Sequence, residues 1–260
     1  MYPKKNKPII TVVTVVFNGL EFLEETIQSV INQTYQDVEY IIIDGGSTDG
    51  TLDVIKKYED KIDCWVSEPD AGIYDAMNKG IALATGEWVN FMNAGDAFYS
   101  SNTLAMVFKN KKYNEDILFG DVNIIYPDFS RVQRAGSPRN LWRGMQFCHQ
   151  SVFVRAAIHK LSIFNVADLI AADFQFYFLA YKKNIKFKYI DSLIASVIIG
   201  GVSDLNRLRT IEAWRDVVCA AGCTYTIRLY YKYLVINMTI RSYIKQIVPV
   251  GIKNVIIKNK

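Results

Sequence analysis

The sequence contains no uninterrupted apolar segment of about 18 residues, the length that would indicate a membrane-spanning helix. Lysines at residues 4–7 precede a β-branched run, but no cleavage site follows, so no secretory signal is indicated. The chain is nevertheless 50% hydrophobic and 13% aromatic over 260 residues, which excludes a disordered protein. We therefore expect a globular cytoplasmic protein with one large α/β domain, or with one domain and an appendage.

Cysteine and histidine are scarce, with four and two copies. The cysteines are Cys64, Cys148, Cys219 and Cys223. No two form a CxxC pair, and a chain of this length needs no disulfide framework, so we expect free thiols in a reducing compartment. Of the histidines, His159 has no partner motif and is predicted at the surface. His149 is either a hydrogen-bonded core residue or a ligand.

Acidic residues are absent after Asp216, although seven basic residues follow it. These are Arg228, Lys232, Arg241, Lys245, Lys253, Lys258 and Lys260. Subtracting them from 30 basic residues leaves 23 against 26 acidic ones, so a body of charge −3 precedes a tail of +7. The tail also carries tyrosines and isoleucines, which suits the interface of an anionic membrane. The alternative is a helical hairpin packed on the main domain; we expect no nucleic-acid partner, because no known fold or basic repeat supports one.

Three apolar runs between residues 41 and 96 stop abruptly at acidic and glycine-rich residues. The runs are residues 41–43 before Asp44-Gly45-Gly46, 64–66 before Glu68-Pro69-Asp70-Ala71-Gly72, and 88–92 before Asn93-Ala94-Gly95-Asp96. Segments of helical length separate them, and an earlier strand at residues 9–16 precedes a helix from Leu20. This alternation predicts parallel strands, whose carboxyl ends share one edge of the sheet, where ligands bind.

Two open choices concern residues near this edge. Residues 44–50 are either a plain turn with a helix cap or a binding loop, although Asp44 directly ends a strand and should face the crevice. Lys79 lies either on the solvated surface or beside a phosphate. In the second half, residues 167–182 predict an apolar helix in which Asp173 either caps the chain locally or points into a cleft.

The motifs TVVFN, IIIDGGSTDGT, EPDAGIYDAMNKGIALATGEW, FMNAGD, CHQSVF, AADF and GGVS follow one another between about residues 9 and 205. In order and spacing they resemble glycosyltransferase family 2, the inverting group that builds bacterial polysaccharides. The resemblance implies an α/β fold of the Rossmann-like GT-A type, a mostly parallel sheet flanked by helices. Residues 1–215 would form the catalytic domain, with a nucleotide-sugar half (1–100) and an acceptor half (101–215). Residues 216–260 would form a helical, basic and aromatic extension.

The resemblance also implies a UDP-sugar donor. Its binding residues would be Thr14, Val16, Asn18, Asp44, Asp70, Asp75, Lys79 and Asn93. Among them Asp44 would hydrogen-bond the uracil, and Asp70, Asp75 and Lys79 would lie near the ribose and diphosphate.

Asn93 to Asp96 occupies the position of the family's DxD metal motif, but here an asparagine replaces the first acid and two residues separate the pair. Asp96 would then be the carboxylate on a Mn²⁺ or Mg²⁺ ion, which prefers oxygen ligands. Asp173 matches the family's catalytic base, and His149 and Gln150 are expected to contact the acceptor.

The sequence therefore predicts an inverting transferase that moves a hexose, glucose or galactose, from a UDP-sugar to a lipid-linked saccharide in O-antigen (lipopolysaccharide) or other surface polysaccharide synthesis. The expected acceptor is GlcNAc-diphosphate-undecaprenol, reached at the cytoplasmic membrane face through the basic tail. One alternative is a nucleotidyltransferase, although residues 17–20 lack the basic, glycine-rich loop such enzymes carry after the first strand. Another is an inactive sugar-nucleotide-binding scaffold, suggested by Asn93.

Overall fold

The computed structural model describes residues 8–168, 170–201 and 205–247, with side chains up to residue 240. Within these residues nine strands form one sheet: β1 (Ile10–Val16), β2 (Val38–Asp44), β3 (Cys64–Ser67), β4 (Trp88–Phe91), β5 (Ala97–Phe98), β6 (Ile117–Ile125), β7 (Ser130–Gln133), β8 (Val152–Arg155) and β9 (Phe187–Ile198). The α-helices in the same part of the chain are α1 (Leu20–Ile31), α2 (Thr51–Lys57), α3 (Ile73–Leu83), α4 (Thr103–Phe108), α5 (Ala156–Leu161), α6 (Ala172–Lys182), α7 (Arg207–Ala220) and α8 (Tyr225–Ile247). Short 3₁₀ helices cover Glu59–Lys61, Pro138–Arg143 and His149–Ser151.

The sheet has the strand order β3-β2-β1-β4-β8-β6-β9-β5, with β7 paired to β6. The first four strands are parallel, and β1 lies at their centre with Val16 opposite Asp44 and Val13 opposite Phe91. β8 then runs antiparallel to β4, which joins the second half of the chain to the same sheet. The predicted α/β fold is confirmed, and the carboxyl ends of β1, β2 and β4 meet at one edge.

Alternation along the strands divides the core into two layers, one on each face of the sheet. Val13 and Val15 of β1 face the layer that contains α3 and α6, whereas Val12 and Val16 face the layer that contains α1 and α4. Because helices cover both faces, every residue of β1 is buried.

α6 begins at Ala172, later than the predicted residue 167. The oxygen Oδ1 of Asp168 accepts hydrogen bonds from the N–H groups of Ile170 (3.0 Å) and Ala171 (2.9 Å), so a side-chain turn occupies the segment before the helix. This turn places Asp173 in the first turn of α6.

His159 is fully buried, so its predicted surface position is wrong. Its ring stacks on Phe176 with centroids 4.5 Å apart and lies edge-on to Phe91 and Phe164. Neither ring nitrogen finds a hydrogen-bond partner in the described part of the chain. Burial lowers the pKa of His159 to about 3, so the residue is a neutral aromatic member of the core.

The prediction of free thiols is wrong for two of the four cysteines. Cys219 and Cys223 form a disulfide, whereas Cys64 and Cys148 are reduced. Cys219 lies in the last turn of α7 and Cys223 follows four residues later, which brings their Cα atoms to 4.2 Å. The helix end therefore supplies the proximity that the sequence spacing did not suggest.

The described part of the tail forms α8, which packs against α7 and, through the buried Tyr231, on the main core. Membrane contact and a packed hairpin both stay predictions for the tail. α7 runs across residue 215, where the domain boundary is predicted; the division itself stays a prediction. No helix within the described residues is both long enough and apolar enough to traverse a bilayer. Arg241 and Lys245 belong to α8, but their side chains are not described. The other tail cations, Lys253, Lys258 and Lys260, and the last two residues of the GGVS motif lie outside the described residues.

Candidate active site

Asp44 ends β2 and is fully buried. Its oxygen Oδ2 accepts hydrogen bonds from the N–H groups of Gly46 (3.1 Å) and Ser47 (3.0 Å) and from the Ser67 hydroxyl (2.6 Å). Its other oxygen, Oδ1, is buried without a partner among the described residues. Because an unsatisfied buried acceptor is costly, a donor group that reached Oδ1 would be bound favourably.

The loop after Asp44 is fastened to the turn after β1. Asn18 donates its backbone N–H to Ser47 Oγ (2.7 Å) and accepts from the Thr48 N–H at its own Oδ1 (3.0 Å). Asn18 adopts a left-handed conformation with φ of 48°, which asparagine tolerates better than most residues. The predicted Asn18 thus lies beside Asp44 and holds the loop in place.

The side chains of Thr14 and Val16 do not reach the crevice. Thr14 is fully buried; its hydroxyl donates to the carbonyl of Met92 (2.8 Å) and shares a hydrogen bond with the Tyr40 hydroxyl (3.0 Å). Val16 packs in the layer of α1. β1 therefore contributes its backbone and its terminal turn to this edge.

Asp70, Asp75 and Lys79 come together at the rim formed by the start of α3. Asp70 approaches Gly45 so closely that a Cβ at position 45 would lie 2.5 Å from Asp70 Oδ2, which explains a glycine there. Lys79 Nζ lies 2.8 Å from Glu68 Oε1 and 3.7 Å from Asp75 Oδ2. The hydrogen bond that Lys79 donates to Glu68 raises the pKa of Lys79, so this lysine is a paired cation that a phosphate would have to share.

Asn93 and Asp96 follow β4 in a tight turn, in which the Asp96 N–H donates to the Asn93 carbonyl (2.9 Å). Asp96 Oδ2 accepts a hydrogen bond from Gln150 Nε2 (2.5 Å). Burial raises the pKa of Asp96 to about 7, against the lowering effect of that hydrogen bond. Asn93 Nδ2 lies 3.0 Å from His149 Nε2, while Asn93 Oδ1 is buried and unpartnered within the described structure.

Asn93 and Asp96 fit a divalent cation that takes most of its ligands from a diphosphate and water. The described residues contain no group of three or more histidine, cysteine or acidic side chains able to enclose a metal. Mg²⁺ and similar ions at nucleotide sites need only one or two protein ligands besides phosphates and water. The Asp96 carboxylate and the unpartnered Asn93 amide oxygen supply such a set, and a cation there would favour the charged form of Asp96.

Asp173 lies in the first turn of α6, where the predicted local hydrogen bond is present and the cleft stays a prediction. Its Oδ1 accepts hydrogen bonds from the Tyr74 hydroxyl (2.9 Å) and from the helix N–H of Phe174 (2.8 Å). Its Oδ2 lies 3.6 Å from His149 Nδ1, and the side chain remains 16% exposed. Tyr74 is a partner of Asp173 that no sequence motif identifies; it is buried, whereas its neighbour Ile73 is exposed.

His149 and Gln150 lie between the metal motif and Asp173. The His149 ring bridges Asn93 and Asp173, and burial lowers its pKa while Asp173 opposes the shift, which favours a neutral imidazole. The Gln150 side chain is bonded to Asp96 and accepts from Cys148 Sγ (2.8 Å), so its amide is already engaged within the protein. The predicted contact of His149 with the acceptor stays a prediction. At Gln150 both amide atoms are already hydrogen-bonded within the protein, so neither is free for an acceptor.

The three carboxylates expected to converge lie at the same edge. The N–H of Gly45 donates to the Val16 carbonyl (2.9 Å) and the N–H of Ala94 donates to the Val15 carbonyl (3.2 Å), which joins the ends of β2 and β4 to β1. His149 then joins the β4 end to Asp173. The described contacts therefore place the three carboxylates near one edge of the sheet.

Known glycosyltransferases are similar to this chain in sequence. A family model described as Glycosyl transferase family 2 matches residues 11–170. A PGL/p-HBAD biosynthesis glycosyltransferase of Mycobacterium bovis is 31% identical over 175 residues, which are 65% of this chain and 68% of that protein. An uncharacterized glycosyltransferase of Mycobacterium tuberculosis is 34% identical over 176 residues, 65% of this chain and 67% of that one.

Solved structures show the same fold at low identity. Residues 1–349 of TarS from S. aureus superpose with a TM-score of 0.64 at 19% identity, over 84% of this chain and 67% of that chain. A TarS complex with UDP-GlcNAc gives 0.63 at 18% identity, over 84% and 68%. The mannosyltransferase PcManGT from Pyrobaculum calidifontis, in complex with GDP-Man and Mn²⁺, gives 0.65 at 16% identity, over 88% and 70%.

Proposed function

The chain belongs to glycosyl transferase family 2 and is a glycosyltransferase with the GT-A fold, and on this premise we propose that it transfers a hexose from a UDP-sugar to a lipid-linked saccharide with inversion at the anomeric carbon. The observation that carries the proposal is the meeting of Asp44, Asp96 and Asp173 at one edge of the sheet. Each carboxylate has a different environment there, which suits three different tasks.

The free oxygen of Asp44 favours uracil as the donor base. Uracil presents one imide N–H, which a single carboxylate oxygen can accept. Guanine presents two neighbouring N–H groups that suit both oxygens of a carboxylate, but three protein donors already occupy Oδ2 of Asp44. The complex of TarS with UDP-GlcNAc supports a UDP-sugar donor for this chain. The complex of PcManGT with GDP-Man shows that a GDP-sugar is the alternative.

Asp173 supplies the base for the transfer step. The acceptor hydroxyl passes its proton to the Asp173 carboxylate as its oxygen bonds to the anomeric carbon, and the bond from that carbon to the phosphate oxygen breaks with its electron pair leaving on UDP. A Mn²⁺ or Mg²⁺ ion held by Asp96 and Asn93 would offset the negative charge on the departing diphosphate. Lys79, paired with Glu68, lies at the same rim.

The proposed acceptor is a lipid diphosphate such as GlcNAc-diphosphate-undecaprenol, used in O-antigen or related polysaccharide synthesis. The outer face of α8 supports this location, because it presents an exposed apolar stripe at steps of four and three residues. The stripe consists of Tyr225, Leu229, Tyr233, Ile236 and Ile240. Exposed Arg228 and Lys232 adjoin it, and no acidic residue follows Asp216, so the stripe suits an anionic membrane surface.

Release of UDP from a panel of UDP-sugars tests the reaction. We expect turnover of UDP-glucose or UDP-galactose when GlcNAc-diphosphate-undecaprenol and Mn²⁺ are both present, and loss of turnover on chelation. Nucleotide binding without release would indicate a scaffold, and release of pyrophosphate from a nucleoside triphosphate would indicate a nucleotidyltransferase. Either result would contradict the proposal.

Flotation tests the membrane contact with the full chain. We expect the wild type to float with vesicles that contain phosphatidylglycerol and the double variant Leu229→Ser, Ile236→Ser to stay at the bottom. Leu208→Ser, which removes an exposed leucine from α7 instead, serves as the matched control and should float. Equal flotation of the double variant and the wild type would remove α8 from this role.

A further inference from the structure

We infer that His149 is a positioning residue that orients the Asp173 carboxylate from the donor side of the site, and that Oδ2 of Asp173 is the oxygen that takes the acceptor proton. This inference rests on the proposed function, in which Asp173 is the base. It assigns to His149 a role toward the base in place of a contact with the acceptor.

The two oxygens of Asp173 are held unequally. Oδ1 accepts two hydrogen bonds, from the Tyr74 hydroxyl and from the N–H of Phe174. Oδ2 has the imidazole of His149 at 3.6 Å, beyond a normal hydrogen bond. Because Oδ1 is occupied, a hydroxyl that enters the crevice finds its acceptor at Oδ2.

Asn93 selects the tautomer of His149. The amide nitrogen of Asn93 is a donor, and it lies 3.0 Å from His149 Nε2, which must then act as the acceptor. The ring proton of a neutral imidazole is consequently on Nδ1, the nitrogen that faces Asp173. His149 therefore presents an N–H to Oδ2 and can stabilise the charged carboxylate before transfer.

The turn that carries His149 is itself fixed to the strand that carries the metal motif. Asn90 of β4 donates from Nδ2 to the carbonyls of Gln150 and Val152, both at 2.9 Å. The next side chain, Gln150, holds Asp96. Two consecutive residues, His149 and Gln150, thus contact Asp173 on one side and Asp96 on the other, so the turn sets the spacing between the two carboxylates.

Two amide variants separate the two contacts of His149. The side-chain nitrogen of His149→Asn can occupy the place of Nδ1 and keep a donor toward Asp173, whereas His149→Gln reaches the place of Nε2 and loses that donor. We expect His149→Gln to lower kcat by about 10- to 100-fold, the usual cost of losing an orienting partner, and His149→Asn to lower it by about fivefold or less. The KM for the UDP-sugar and the Kd for UDP should change by less than about twofold in both.

The matched control is His159→Phe, which removes the other histidine from the aromatic cluster and should leave kcat within about twofold of the wild type. In an Asp173→Asn background, His149→Gln should cost almost nothing further, because its effect passes through the base. Equal losses in the two amide variants, or an undiminished loss in the Asp173→Asn background, would overturn the inference. Near-normal turnover of Asp173→Asn alone would instead overturn the proposed base.

Nitrogen-15 NMR of the protein labelled at histidine gives a test that needs no substitution of His149. With two histidines in the chain, the His159→Phe control assigns the signals. A protonated Nδ1 and an unprotonated Nε2 at His149 are expected. The opposite tautomer would contradict the proposed orientation.

Discussion

Asp44 and Asp173 are carboxylates at the same crevice, but the protein holds them by different means. Two of the three groups that bind Asp44 lie two and three residues further along the chain, at Gly46 and Ser47. The side chain that binds Asp173 most directly, Tyr74, is 99 residues away, and the bridge through His149 reaches Asn93 across 56 residues. The donor side is thus made by a local turn, and the base side exists only once both halves have packed. Substitutions should separate accordingly, with nucleotide binding lost on one side and turnover on the other.

Asp173→Asn should give the largest effect and break the base side alone. We expect kcat to fall by about 10²- to 10⁴-fold, because the amide cannot accept the acceptor proton. UDP binding, measured by calorimetry, should persist. Asp168→Asn is the matched control, since Asp168 only caps the turn before α6. Loss of UDP binding in Asp173→Asn would show that the two sides are not separable.

Asp44→Asn should break the donor side. Losing a hydrogen bond to a charged acceptor costs about 1.5–3 kcal/mol, so we expect UDP affinity to fall by about 10- to 100-fold. At saturating donor, kcat should change much less. Asp49→Asn in the same loop, where Asp49 binds Leu20 and Thr51, provides the control. A fall in kcat with unchanged affinity would refute the uracil contact.

His159→Phe should change how the free energy of unfolding depends on pH, because His159 lies in the aromatic cluster that packs around α6 near Asp173. Burial lowers the pKa of His159 to about 3, so between pH 6.5 and 3 the unfolded chain binds a proton that the folded chain refuses. Stability is therefore lost as the pH falls below 6.5, by about 2 kcal/mol at pH 5 at 1.36 kcal/mol per pH unit. Asp96 and His149 titrate in both proteins, so the test is the difference between them: by urea unfolding, the wild type should lose about 2 kcal/mol relative to the variant between pH 7 and pH 5. Identical pH dependence in both would place the acid sensitivity elsewhere.

Tyr74→Phe should give the smallest effect. It removes one hydrogen bond to the Asp173 carboxylate, worth about 1.5–3 kcal/mol, and leaves the ring in place. Because that bond is present both before and during proton transfer, only part of its energy reaches kcat, and we expect a loss of about 2- to 12-fold. Single-turnover rates at saturating UDP-sugar would measure it. Tyr113→Phe, whose hydroxyl binds the Val107 carbonyl away from the crevice, should be silent. A higher KM for the UDP-sugar without a slower chemical step would indicate that Tyr74 contributes to donor binding.

The same difference explains what the sequence could predict. Strand ends followed by acidic and glycine-rich turns identify Asp44, Asn93 and Asp96, because alternation and turn chemistry are local signals. The partners of Asp173 depend on contacts between distant segments, so Tyr74 and the bridging roles of His149 and Gln150 carry no signal in the spacing. His159 was misplaced for the same reason, since its aromatic neighbours come from β4, α6 and the loop that follows α5.

The helix pair α7 and α8 packs directly against the main domain. Tyr231 is fully buried, and Tyr230 packs on Trp142, in the 3₁₀ helix that contacts α6, with ring centroids 5.3 Å apart. If the outer stripe of α8 rests on a bilayer, as proposed, then Asp173, the proposed base, would lie at a constant height above the headgroups. The distance from the bilayer to Asp173 would then select acceptors by length. Glycans whose terminal hydroxyl reaches that height would be substrates, and longer or shorter ones would not.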